Sequence, residues 1–186
     1  MKMVKNKNMD SEIIVGIVIE ALKEITSPRF YRTERGFQGR FAGALQGMSD
    51  RIQIFPKGTI IEQEYQKVKT SHRMRLRPDL IIHIPFEAGV TESRKEGNFV
   101  VFAFKLRASE KEAGQDFEKL DRLFEKLNYP IGFFINISRY PNIFLENYSG
   151  AFKDRIHELS NKMEDGKLYI RHGYFKNGKL AIEDVQ

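Results

Sequence analysis

Two apolar runs separated by one polar loop constrain this chain more than any other feature in it. Residues 77–86 read RPDLIIHIPF and residues 98–106 read NFVVFAFKL. Both are rich in Ile, Val and Phe, which suit a pleated, half-buried surface. Side chains alternate faces along a strand. Asp79, Ile81 and His83 therefore share one face of the first run, and Val101, Ala103 and Lys105 share one face of the second. Pairing the runs as an antiparallel hairpin about the middle of the loop, near Glu92, sets Asp79 opposite Lys105. An acid and a lysine are thus expected together at the end of the hairpin, at the edge of an apolar sheet.

The flanking segments alternate helix and strand patterns. Residues 1–9 read as a disordered start. A nearly continuous apolar stretch over 13–22 predicts a buried helix, capped by Asp10 or Ser11 and running to about Glu24. It contains Glu20, is too short to span a bilayer and lacks a small-residue cleavage site, so it reads as a helix and not as a signal or anchor. Thr33 can cap a second helix over 33–48, with Phe37, Phe41, Ala44, Leu45 and Met48 as its core stripe. Residues 59–66, TIIEQEYQ, predict a strand with Glu62, Glu64 and Gln66 on one face. Ser109 and Glu112 form a capping box that opens a helix to about Leu127. Residues 131–137 then make a buried strand after a crossover helix. The helical spacing of Phe152, Ile156, Leu159 and Met163 predicts a helix over 151–163. Lys176-Asn177-Gly178-Lys179 is a hairpin turn signal, so 167–186 should be a C-terminal β-hairpin. At 186 residues the simplest organisation is one domain.

Composition removes several classes of chemistry. With no cysteine there is no disulfide framework, no Cys-based zinc site and no thiol nucleophile. No Gly-rich phosphate loop or nucleophile elbow appears. Lys and Arg number 31 against 25 acids, a net charge of +6 that leans toward a polyanionic partner. Its distribution says more. Lys67, Lys69, Arg73, Arg75 and Arg77, with His72, fall in eleven residues that hold no acid and lead straight to Asp79. Such a run is either a solvated loop or a phosphate contact. His83 reads as a hydrogen-bonded structural histidine. The expected address is cytoplasmic, with no membrane partner.

Pro78-Asp79, a gap of 23 residues, then Ala103-Phe104-Lys105 resembles the Pro-Asp…(Asp/Glu)-x-Lys signature of the restriction-endonuclease-like (PD-(D/E)XK) nucleases. The resemblance spans roughly residues 33–137. It implies an α/β fold, a three-layer α/β/α sandwich around a central mixed sheet, here with the C-terminal hairpin added. It also implies a metal-dependent phosphodiester hydrolase of the DNA endonuclease type, in which two acids hold magnesium or manganese. Asp79 matches the first acid. Lys105 matches the lysine that orients the attacking water and stabilises charge on the phosphate. Ala103 stands where the second acid belongs, which weakens the expected metal site unless another carboxylate compensates. Glu34, in the first turn of the second helix, resembles a site glutamate that many members carry on such a helix. Glu64 is the other candidate for the missing acid. Gln38, one turn beyond Glu34, and Gln115, early in the third helix, are expected to face nucleic acid, with DNA favoured over RNA.

Three explanations of Ala103 stay open: the acid has moved to Glu64 or Glu34, the site has decayed, or the alanine is an engineered replacement. Decay would leave a non-catalytic module that binds nucleic acid or a protein. The hairpin, mildly basic through Arg171, His172 and Lys176, is open to use as a sheet extension, a homodimer contact or a second DNA-contacting element.

Overall fold

The computed structural model describes residues 10–63, 76–86 and 95–185. The expected disordered start at 1–9 lies outside these, as do Glu64, Lys67, Lys69, His72, Arg73, Arg75 and Glu92.

Helix α1, Ser11–Lys23, starts where the Asp10 side chain accepts the Glu12 amide, and it buries Ile14, Ile17, Val18, Ala21 and Leu22. Helix α2 runs Glu34–Ile52, one turn longer than its apolar stripe predicts, and the Thr33 side chain accepts the Gly36 amide at its start. Helix α3, Glu110–Leu127, opens on the expected capping box of Ser109 and Glu112. It ends at Asn128, whose φ of 55° is the left-handed conformation that closes helices.

Among the described residues, seven strands form one mixed sheet in chain order: β1 Ile60–Gln63, β2 Leu80–His83, β3 Asn98–Leu106, β4 Ile131–Ile137, β5 Ile156–Glu164, β6 Lys167–Lys176 and β7 Lys179–Val185. The β3–β4 and β4–β5 pairs are parallel and the other four are antiparallel. Alternation splits the core in two. Leu80, Ile82, Val100, Phe102, Phe104, Phe133 and Ile135 pack against α1 and α2. Ile81, Val101, Ala103 and Phe134 pack against Ala113, Phe117, Leu120 and Phe124 of α3. This is the three-layer, restriction-endonuclease-like α/β architecture expected from the sequence, with the C-terminal hairpin as its outer edge. Among the described residues, no helix is long and apolar enough to cross a membrane.

Two expectations are corrected. The hairpin register differs by two residues from a loop-centred fold: Leu80 pairs with Phe102 and Ile81 with Val101. Continuing it by one residue sets Asp79 level with Ala103, not with Lys105. An offset of two keeps every side chain on its expected face. A register irregularity between Ile82 and His83, against Val100 and Asn98, shifts the pairing by one further residue at the loop end.

The second correction concerns residues 151–163, which are not helical. A short 3-10 turn, Lys153–Arg155, leads into β5. The helical spacing of Phe152, Ile156, Leu159 and Met163 is outweighed by hydrogen-bonding ladders on both sides, to β4 and to β6. Asp165-Gly166 was the sequence signal for this. Their φ values of 50° and 73° make a two-residue hairpin turn, the same chemistry as Asn177-Gly178 at 53° and 74°.

Gly132 of β4 lies across from Val101 and beneath α3. A Cβ there would come within 2.7 Å of the Phe124 ring, which is 1% exposed and has nowhere to go. Gly132→Ala is expected to cost about 1–3 kcal/mol in urea denaturation, the usual penalty of overpacking.

Candidate active site

Asp79 sits just before β2 and clasps β3 on either side of Ala103. Its amide donates to the Phe102 carbonyl at 3.3 Å. Its carboxylate Oδ2 accepts the Phe104 amide at 2.8 Å. The carboxylate therefore stands in for a ladder carbonyl, which fixes its orientation. From the α2 side, the Gln38 amide donates to the Asp79 carbonyl.

Lys105 lies two residues beyond Ala103 on the same face of β3, and its Nζ is 3.6 Å from Asp116 Oδ2. Lys119 Nζ is 3.4 Å from Asp79 Oδ1 and 3.9 Å from Asp116 Oδ1. The four side chains form a continuous run of alternating charge: Lys105, Asp116, Lys119, Asp79. Asp116 and Lys119 are one turn apart on α3, so the helix presents both to the same place.

Asp116 is the least exposed member, at 7%. Burial raises its pKa, while Lys119 and Lys105 work in the other direction. Burial works against the Lys105 charge too, but the carboxylates of Asp116, Glu34 and Asp79 prevail and its pKa is raised. Lys105 is therefore firmly protonated at neutral pH. It can orient water and offset negative charge, but it is a poor proton acceptor.

Glu34 stands in the first turn of α2 and reaches the end of β3, where its Oε2 accepts the Leu106 amide at 3.2 Å. Gln38 is 5% exposed and its amide is committed to Asp79, so it positions that residue from behind. Gln115 is exposed beside Asp116, and Arg77 is exposed two residues before Asp79. His83 Nε2 pairs with Glu62 Oε2 at 3.0 Å, the hydrogen-bonded structural role read for it. Glu64 and the basic residues from Lys67 to Arg75 lie outside the described residues.

Sequence reasoning missed Asp116 and Lys119. A signal existed for the first. Asp116 falls three residues after Ala113 and four before Leu120, inside the buried stripe of α3. A carboxylate at a core position of an amphipathic helix is rarely there without a partner or a task.

No protein-family model and no curated protein sequence matches this chain. The fold is shared with NucC. The structure of P. aeruginosa ATCC27853 NucC in its cAAA-bound form superposes with a TM-score of 0.50, covering 95% of this chain and 84% of that one at 11% sequence identity. E. coli MS115-1 NucC, also in its cAAA-bound form, gives a TM-score of 0.47 over 95% and 83% of the two chains at 13% identity. At such identity the likeness is one of fold.

Among the described residues, no three Asp, Glu or His side chains are grouped to enclose a metal ion. Two carboxylates, Asp79 and Asp116, do converge on one cation, the Lys119 ammonium. Magnesium commonly takes one or two carboxylates and completes its shell with phosphate and water. The pair meets that requirement.

Proposed function

We propose that this chain is a metal-dependent phosphodiester hydrolase acting on nucleic acid, DNA before RNA, in which Asp116 takes the place of the acid that Ala103 lacks. The observation that carries it is the convergence of Asp79, Asp116 and Lys105 at one end of the β2–β3 pair. The shared fold supports the reading without fixing it, since one fold hosts many activities.

Asp79 and Asp116 would hold magnesium or manganese. When bound, the ion supplies a water of lowered pKa and charge stabilisation at the phosphoryl oxygen. The protein's own groups do the rest. Phe104 N–H and Gln38 hold Asp79 in place. Lys105 keeps its proton and offers a fixed positive charge to the phosphate. Lys119, which neutralises both carboxylates in the resting state, is free to turn to the phosphate once another cation replaces it. The basic run up to Arg77 would hold the backbone of the substrate.

A second reading is favoured by Ala103 itself, whose methyl is fully buried against α3 and supplies no ligand. On that reading the chain binds nucleic acid or a protein without cleaving.

Cleavage of single- and double-stranded DNA and of RNA, in magnesium and in manganese, separates the two. Asp79→Ala, Lys105→Ala and Asp116→Asn should each lower cleavage by about 100-fold or more, since even outer groups around a metal are worth ~10–100-fold. Ala103→Glu should bring no gain if Asp116 already fills the role. A wild type that cleaves none of these, yet binds them with steep salt dependence, would move the chain to the second reading.

A further inference from the structure

Strands β3, β4 and β5 are mutually parallel, so their carboxyl ends meet at one rim of the sheet. Ligand sites of open α/β sheets gather outside such ends. A groove of about 350 Å³ lies there, lined among others by Tyr31, Arg107, Arg139, Tyr140, Lys162 and Glu164. It adjoins the candidate active site through Leu106, which lines the groove and gives its amide to Glu34.

The cations of this groove differ in their commitments. Lys162 is already paired with Glu164 at 2.6 Å and lies over the Tyr169 ring. Arg107 and Arg139 are both exposed, and neither guanidinium has a hydrogen-bond or ion-pair partner among the described residues. Arg107 is also held in a conformation that non-glycine residues seldom adopt, with φ 60°. Its amide is fixed by the Ile137 carbonyl at 2.8 Å. Such a backbone state persists only where the surroundings enforce it. Tyr140 is 75% exposed, the most exposed large apolar side chain described. Its amide is fastened to the Ser138 hydroxyl at 3.0 Å, so the ring is presented from a braced turn.

Two uncommitted guanidiniums and an outward aromatic ring on a firm base match the requirements of an unpaired polynucleotide. Phosphates need cations, and unstacked bases need a flat surface. We infer that this groove seats a single-stranded stretch of nucleic acid next to the candidate active site, with Arg107 and Arg139 on successive phosphates and Tyr140 under a base. The inference rests on the nucleic-acid part of the proposed function but not on hydrolysis.

Fluorescence anisotropy with labelled oligothymidylate and with a duplex of equal length tests it, in EDTA so that no cleavage intervenes. Arg107→Ala/Arg139→Ala should weaken single-strand binding at least ten-fold at low salt. It should also flatten the log–log salt slope by about 1.4, the share of two single-strand phosphates. Tyr140→Ala should weaken single-strand binding about five-fold or more, leave duplex binding unchanged, and be rescued by Tyr140→Phe. All three side chains are exposed, so unchanged melting temperatures are expected throughout. Wild-type affinity and slope in the arginine variant would overturn the inference. So would equal losses for single strand and duplex in Tyr140→Ala. The hydrolase reading fails separately. No cleavage with intact Arg- and Tyr-dependent binding removes the enzyme and keeps the groove, whereas cleavage with insensitive binding does the reverse.

Discussion

Stability should peak near pH 6.5 and fall on either side, and Glu158→Gln should remove the alkaline fall. Glu158 of β5 is completely buried. Its Oε2 accepts the amides of Phe144 and Leu145 at 2.9 and 2.8 Å, while Oε1 has no hydrogen-bond partner among the described residues. Burial pushes its pKa from 4.5 up to about 8 against the pull of those two amides. Between these values the native state holds a proton that the unfolded chain has released, so stability declines as pH rises and levels off above about 8. The whole shift corresponds to about 5 kcal/mol, of which roughly 2 kcal/mol is lost above pH 6.5.

The acid limb has the opposite cause. His157 and His172 share a hydrogen bond of 2.9 Å in the space between α1 and the β5–β7 strands. Burial, and for His157 also its partner, pulls the first down from 6.5 to about 3. Burial pulls the second to about 4, against Glu183. Below pH 6.5 the unfolded chain takes up protons that the native pair refuses, so acid destabilises by several kcal/mol. Guanidinium denaturation of the wild type and Glu158→Gln from about pH 5 to 9 checks both limbs. A flat wild-type profile above pH 6.5 would sink the assignment to Glu158.

Lys119→Met is expected to destabilise the protein in EDTA and to make it responsive to magnesium. The ammonium lies between Asp79 and the buried Asp116, and methionine keeps the stem while removing the charge. Stranding one partner of a fully buried pair costs about 3–5 kcal/mol. Asp79 and Lys119 are 27% and 21% exposed at the side chain, so about 2 kcal/mol is the fair expectation. A divalent cation should restore most of that loss, because it replaces one positive charge with two at a point where carboxylates already converge. Thermal melts of wild type and variant, with EDTA and with magnesium, give the result. Equal melts of the variant in both buffers would mean that the two acids do not make a cation site, whatever the cleavage assays show.

The parts of this molecule that were legible in the sequence are those set by local chemistry. The capping box at Ser109 and Glu112, the Thr33 cap, and the Asn177-Gly178 turn each satisfy or bend the backbone within a few residues. The faces of β2 and β3 follow from a period of two and survive the shift in register. What was not legible depends on distant partners. β5 is a strand because β4 and β6 flank it, not because of its own spacing. Asp116 reaches the site only because α3 packs on the face of the sheet that carries Val101 and Ala103. Gln38 looked available on a helix surface, and the packing of α2 turned it inward onto Asp79.

The outermost strand, β7, carries Lys179, Glu183 and Asp184. Asp184 is bound to Arg171 at 2.8 Å, and Glu183 accepts the Tyr174 hydroxyl at 2.7 Å. A foreign segment annealing along this border would have to strip water from those carboxylates and crowd their charges. Its free amides and carbonyls are thereby guarded against amyloid-like stacking and accidental polymerisation. Along this border it is charge, and not any shortage of hydrogen-bonding groups, that opposes the addition of a further strand.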